Sequence, residues 1–194
     1  MHIADGIIAT EVCIAADAVS LAALYAFSRK TEAEDIPGMG FFAAALFVIS
    51  LIHFPIAGTT LHLSLFGLAG IVLGLRAFPV IFVALMFQSL IFQHGGLVTV
   101  GLNAINMGAG ATAGWLVWKA GGIPESVRAF AAGFFAVLLA AFLMVLEFRL
   151  TGYGRSAIFF AYIYSVAAII EGMLTLTIVA FFRRVKPEIL EPCP

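Results

Sequence analysis

From Ile36 to Leu75 the chain carries no Lys, Arg, Asp or Glu, and the same holds from Ala77 to Trp118 and from Ala129 to Leu146. A soluble domain cannot hide uncharged runs of that length, because its surface is rich in charged side chains. Lipid hydrocarbon removes that need, and helices that satisfy their own backbone are one of two ways to cross it. The composition agrees, with 63% hydrophobic and 11% charged residues against roughly 45–50% and about 25% in soluble domains.

At 194 residues there is room for six or seven helices of about 20 residues with short loops. A single transmembrane domain over 1–194 is therefore expected, with no soluble domain beside it. Apolar runs bounded by charge, Gly or Pro predict spans at Thr10 to Ser28, Met39 to Ile52, His62 to Leu75 and Ala77 to Gln93, then Leu102 to Trp118, Val127 to Phe148 and Ser156 to Phe182. With seven spans, one side collects Arg29, Lys30, Arg76, Lys119, Arg128, Arg183, Arg184 and Lys186, and the other only Arg149 and Arg155. That positive-inside bias predicts a cytoplasmic C-terminus and an outward N-terminus, and an even count of spans would degrade it. The expected fold is an all-α integral membrane protein with seven transmembrane helices, whose first partner is the lipid bilayer.

A net charge of −1 leaves no basic face for nucleic acid. Cys13 and Cys193 have neither metal nor redox spacing. The first twelve residues lack the basic n-region of a cleavable signal, and a bulky second residue discourages removal of Met1.

Two loops expected on the outward side, "HFPIAGTTLH" and "QHGGLVTVG", contain no Lys, Arg, Asp or Glu. Apolar, Gly-rich loops between short spans are expected to fold back into the protein, since irregular backbone is tolerated at membrane depth only when shielded from lipid. His53, His62 and His94 lie on these loops, and His2, the fourth and last histidine, is on the same side. In the terminal "MH", the Met1 amine, the His2 amide nitrogen and the His2 Nδ1 close a five- and a six-membered ring on one ion. A second imidazole would complete a planar four-nitrogen site of the kind expected for Ni(II) or Cu(II). His53 and His94 are read mainly as groups that fix the loops, and Gln88, Asn103 and Asn106 as residues able to orient a ligating imidazole. Asp5 is expected to cap the first span or to hold the terminal segment. Glu171 is open between a protonated state, a pair with Arg149 or Arg155, and support of the metal surroundings. Gly67, Gly70 and Gly74 lie along one helical side, as in close helix contacts.

"MHIADG", "GTTLHL" and "FQHGGLVTVGLNAINMG" together resemble the CbiM/NikM family, the substrate-capture components of energy-coupling-factor importers for cobalt and nickel, and the similarity runs on to "EGMLTLTIVAFFRRVKPEIL". The resemblance implies seven helices with the N-terminal segment inserted among them, and one divalent ion bound by Met1, His2 and His62. It implies Ni2+ or Co2+ as substrate, no covalent cofactor, and a multi-pass protein of a prokaryotic cell membrane. The partners it implies are a transmembrane coupling subunit, cytoplasmic ATPase subunits and a small accessory membrane subunit. The chain departs from the family at positions 4 and 5, which read Ala-Asp, and ahead of Glu171, where "YIYSVAAII" has no histidine. Asp5 tilts the reading towards nickel without separating the two ions. No GxxxxGK[ST], HExxH or G-x-S-x-G is present, so ATP hydrolysis is assigned to separate subunits and the chain is not read as an enzyme. The alternatives are a stand-alone proton-coupled carrier and, behind it, an intramembrane enzyme.

Overall fold

A computed structural model describes residues 2–56, 59–152 and 157–191, as backbone alone for 55–56, 59–60 and 157–158. The helices are α1 (Thr10–Ser28), α2 (Ile36–Ser50), α3 (Phe66–Leu73), α4 (Ala77–Phe92), α5 (Val100–Lys119), α6 (Glu125–Leu150) and α7 (Ala157–Val185). A hairpin of β1 (His53–Ile56) and β2 (Thr59–His62) separates α2 from α3. Met1, Arg155, Ser156 and Cys193, on which several expectations fall, lie outside the described residues.

Among the described residues, four stretches are long and apolar enough to cross a membrane: Thr10–Ser28, Phe66–Phe92, Glu125–Leu150 and Phe159–Val185. The α2 helix is apolar but only 15 residues long. Two asparagines and four glycines dilute the 20 residues of α5. The stretch Phe66–Phe92 is folded rather than straight. Gly74, at φ 57°, breaks it, and the rings of His62 and His94 at its two ends lie 5.3 Å apart. Thus α3 runs down and α4 returns, and α3 alone is about 12 Å long at 1.5 Å per residue.

The expected third span began at His62, but His62 closes β2, paired with His53, and the helix begins at Phe66. Pro55 lacks the N–H a helix would need, and Thr59 and Thr60 are β-branched, so this segment favours extended pairing over a helix.

α5 is the central post, packed against α1, α3, α4 and α6. It can be central because small residues let backbones touch. A Cβ on Gly70 of α3 would lie 2.1 Å from the Ala111 carbonyl oxygen of α5, and one on Gly110 would lie 2.4 Å from Ala136 O of α6. Large apolar side chains such as Leu21, Phe41, Phe87, Phe142 and Leu150 point outward, as a lipid-facing surface requires. At one end of the bundle, Arg76 bonds Asp35 (2.9 Å) and Lys30 O, Arg128 bonds Trp118 O, and Arg183 pairs with Glu125. The histidines gather at the other end. The chain is a multi-pass membrane protein.

Candidate metal centre

Residues 2–8 fold back into the bundle instead of trailing from α1. Ile3 is fully buried, and Asn103 of α5 treats it as a strand partner would: Ile3 N–H donates to Asn103 Oδ1 (2.8 Å), and Asn103 Nδ2 donates to Ile3 O (3.0 Å). The Thr99 hydroxyl also donates to Ile3 O, at 2.7 Å. Asp5 does not cap α1, whose first turn has no side-chain cap. Its carboxylate accepts the N–H groups of Leu97, Val98 and Thr99, each at 3.0 Å, at the entrance to α5. These donors have no partner in the helix, so an acceptor there both satisfies and pins them. Gly96 leaves the space, since a Cβ there would sit 1.8 Å from Asp5 Oδ1.

This anchoring delivers His2 to the histidine loops. His2 Nδ1 lies 3.0 Å from His62 Nε2. A chain of hydrogen bonds says what those two nitrogens carry. The Ser50 hydroxyl donates to Phe47 O (2.8 Å), so it accepts from Gln88 Nε2 (2.6 Å), and Gln88 Oε1 is left to accept. It faces His2 Nε2 at 2.9 Å, which must therefore carry the proton. His62 Nδ1 donates to Leu63 O (3.1 Å). Each neutral ring has one proton, so His2 Nδ1 and His62 Nε2 both turn lone pairs into the same gap. Two ring nitrogens so placed can face one cation together. An ion about 2.1 Å from each, a usual metal–imidazole length, would see them roughly 90° apart, the angle between neighbours in a planar site.

His94 joins them. Its N–H bonds Gln88 O just beyond the left-handed Gln93 that ends α4, and its ring centre is 4.2 Å from that of His2. One nitrogen each from His2, His62 and His94 lie within 4.8 Å of one another. Buried His94 Nε2 has no hydrogen-bond partner among the described residues. Burial, the leading cause in each case, drives the imidazoles of His2 and His62 well below their usual pKa and that of His94 down to about 4. All three are neutral near pH 7 and available as donors. His53 stands at the exposed rim, its Nδ1 donating to Leu51 O at 2.7 Å.

Glu171 supports the site from α7. It is 2% exposed, and one carboxylate oxygen accepts the Ser64 N–H and, at 2.9 Å, the Ser64 hydroxyl. The other accepts the Leu65 N–H at 2.9 Å. The turn so held contains Leu63, whose carbonyl fixes His62. Asn106 takes no part in the cluster and donates to Glu147 at 2.8 Å. Ser50 went unread in the sequence, where nothing marks it as the end of a relay to Gln88.

The profile of the cobalt uptake substrate-specific transmembrane region, CbiM, matches residues 2–189. A cobalt transport protein CbiM of Sorangium cellulosum is 32% identical, with 98% of this chain and 95% of that protein aligned. A fused nickel transport protein NikMN of Rhodobacter capsulatus is 35% identical over 55% of this chain and 33% of its own length. The chain also spans half the length of a Haemophilus influenzae protein named for metal transport, 36% identical over 53% of this chain. A solved structure described as a transition metal transporter superposes with a TM-score of 0.82 at 25% identity, covering 95% of this chain and 93% of that one. With nearly its whole length matched, this chain belongs to the CbiM family of cobalt uptake substrate-specific transmembrane regions.

Proposed function

We propose that this protein binds one Ni2+ or Co2+ ion with high affinity and acts as the substrate-specific subunit of an ATP-driven importer. The ion sits between His2 Nδ1 and His62 Nε2, with the Met1 amine and the deprotonated His2 amide nitrogen completing a planar set. The observation that carries this reading is the 3.0 Å approach of His2 Nδ1 to His62 Nε2. Among the described residues the cluster contains no carboxylate or thiolate, and an all-nitrogen donor set favours nickel, cobalt and copper over magnesium or calcium. Asp5, Asn103 and Gln88 hold the terminal segment and set the His2 tautomer, while His53 and His94 line the approach.

Seven membrane crossings, an outward N-terminus and a cytoplasmic C-terminus put the histidine end outside and the basic end inside. The partners are a transmembrane coupling subunit, cytoplasmic ATPases and a small accessory membrane subunit. The ATP chemistry is theirs, since this chain has no phosphate-binding loop. A relative in Methanocorpusculum labreanum named as a fused CbiMQ cobalt transport protein supports association with a second subunit.

The test is calorimetric titration of the full chain, with its natural amino terminus, by Ni2+ and by Co2+. One residue added before Met1 turns the amine into an amide and is expected to abolish tight binding. Equal affinity of the extended and natural chains would sink this reading.

A further inference from the structure

The final site is covered by the terminal segment, so an ion must reach it past other groups. The hairpin register pairs His53 with His62, which puts both side chains on one face of the hairpin. One of them is exposed at the rim and the other is 7% exposed. His94 stands beside both, its ring centre 4.8 Å from His53, 5.3 Å from His62 and 4.2 Å from His2, with His53 and His62 5.8 Å apart. Two imidazoles that share one ion at about 2.1 Å and roughly 90–110° have ring centres about 4.6–5.3 Å apart. The pair His2 and His62 meets that condition at 4.8 Å, and so does the pair His53 and His94.

The protons fit as well. His53 Nδ1 is spent on Leu51 O, which leaves its Nε2 basic. His94 Nε2 is buried and has no partner among the described residues, a costly arrangement for a polar atom unless something else occupies it in use.

We propose that His53 and His94 form an outer docking site for a borderline divalent transition ion on its way to the His2–His62 pair. The inference rests on the function proposed above. His94 stands within reach of the final pair without being one of its ligands, because its donor nitrogen lies within 4.8 Å of those of His2 and His62. An ion can therefore be passed on by exchanging one imidazole at a time, without regaining its full water shell. With two imidazole donors and no carboxylate, the outer site admits Ni2+, Co2+, Cu2+ or Zn2+ and turns away Mg2+ and Ca2+.

The test is rapid mixing of the full chain, natural amino terminus intact, with Ni2+, followed by absorbance, with dissociation measured by chelator chase. Loss of the outer site slows entry and exit alike. His53→Ala and His94→Ala should each lower both rate constants about tenfold, so that Kd moves far less than in His62→Ala. His53→Asn and His94→Gln keep polarity without the strong donor, guard against a folding defect, and should show the same slowing. A tenfold excess of Zn2+ should slow Ni2+ loading, and the same excess of Mg2+ should not. Unchanged loading in both His53 and His94 variants would overturn the proposal. So would a Kd loss in His94→Ala as large as in His62→Ala, because His94 would then belong to the final site. If the unaltered chain binds no Ni2+ or Co2+, the function itself fails, a result distinct from unaltered loading kinetics.

Discussion

His2 matters here for where its neighbours put the protons, more than for being a histidine. The relay from Phe47 O through Ser50 and Gln88 fixes the His2 tautomer over sequence separations of 38 and 86 residues. The "MH" terminus and the "TTLHL" histidine are legible as donors because chelate geometry is local and imidazoles are scarce. Ser50 is illegible and Glu171 legible only as an acid with three open roles, because their partners are chosen by the fold, Glu171 meeting Ser64 across 107 residues. Asn103→Ala would strand the buried N–H of Ile3, worth about 1–3 kcal/mol when unsatisfied, and leave its C=O only the Thr99 hydroxyl. We expect faster hydrogen exchange over residues 2–8 and at least tenfold weaker Ni2+ binding. Glu171→Gln would set an amide donor against the Leu65 N–H. It should weaken Ni2+ binding severalfold while the protein still elutes as a monodisperse species, and an unchanged Kd would show that the Leu63–Leu65 turn holds itself.

At the scale of elements, helices and loops divide the chain differently from what hydropathy alone suggests. The first helix falls on Thr10–Ser28 as the charge boundaries imply. The hairpin escapes such a reading because four-residue strands are too short for an alternating pattern to stand out against uniformly apolar surroundings. The close packing of α3 on α5 is visible as spaced glycines, but its partner helix is not. Gly70→Leu would drive side-chain atoms into the Ala111 carbonyl, a backbone group that cannot swing aside. Overpacking typically costs about 1–3 kcal/mol, and backbone contact places this substitution at the upper end or beyond. A thermal unfolding midpoint several degrees lower is expected, whereas Gly38→Ala, with no atom near its Cβ, should leave the midpoint in place.

For the whole molecule, the histidines and most of the basic residues described sort to opposite ends, Arg149 excepted, and the sidedness proposed above can be checked directly. The chain has three lysines, Lys30, Lys119 and Lys186, all on the face assigned to the cytoplasm. A membrane-impermeant amine reagent should modify them in inverted vesicles and spare them in right-side-out ones, and labelling of Lys30 from outside would reverse the orientation. The nickel-loaded protein should show the absorption of a planar low-spin ion, and an octahedral spectrum would count against the backbone nitrogen as a ligand. The folded arm Phe66–Phe92 is joined at Gly74–Arg76 and tied there to Asp35, while its two tips lead to His62 on one side and to Gln88 with His94 on the other. Such a shape works like tweezers. With a limb of about 24 Å, a pivot of only about 3° at the base would part the tips by roughly 1.3 Å, enough to pull one nitrogen off a metal, so a small push at the far end could loosen the grip without unfolding anything.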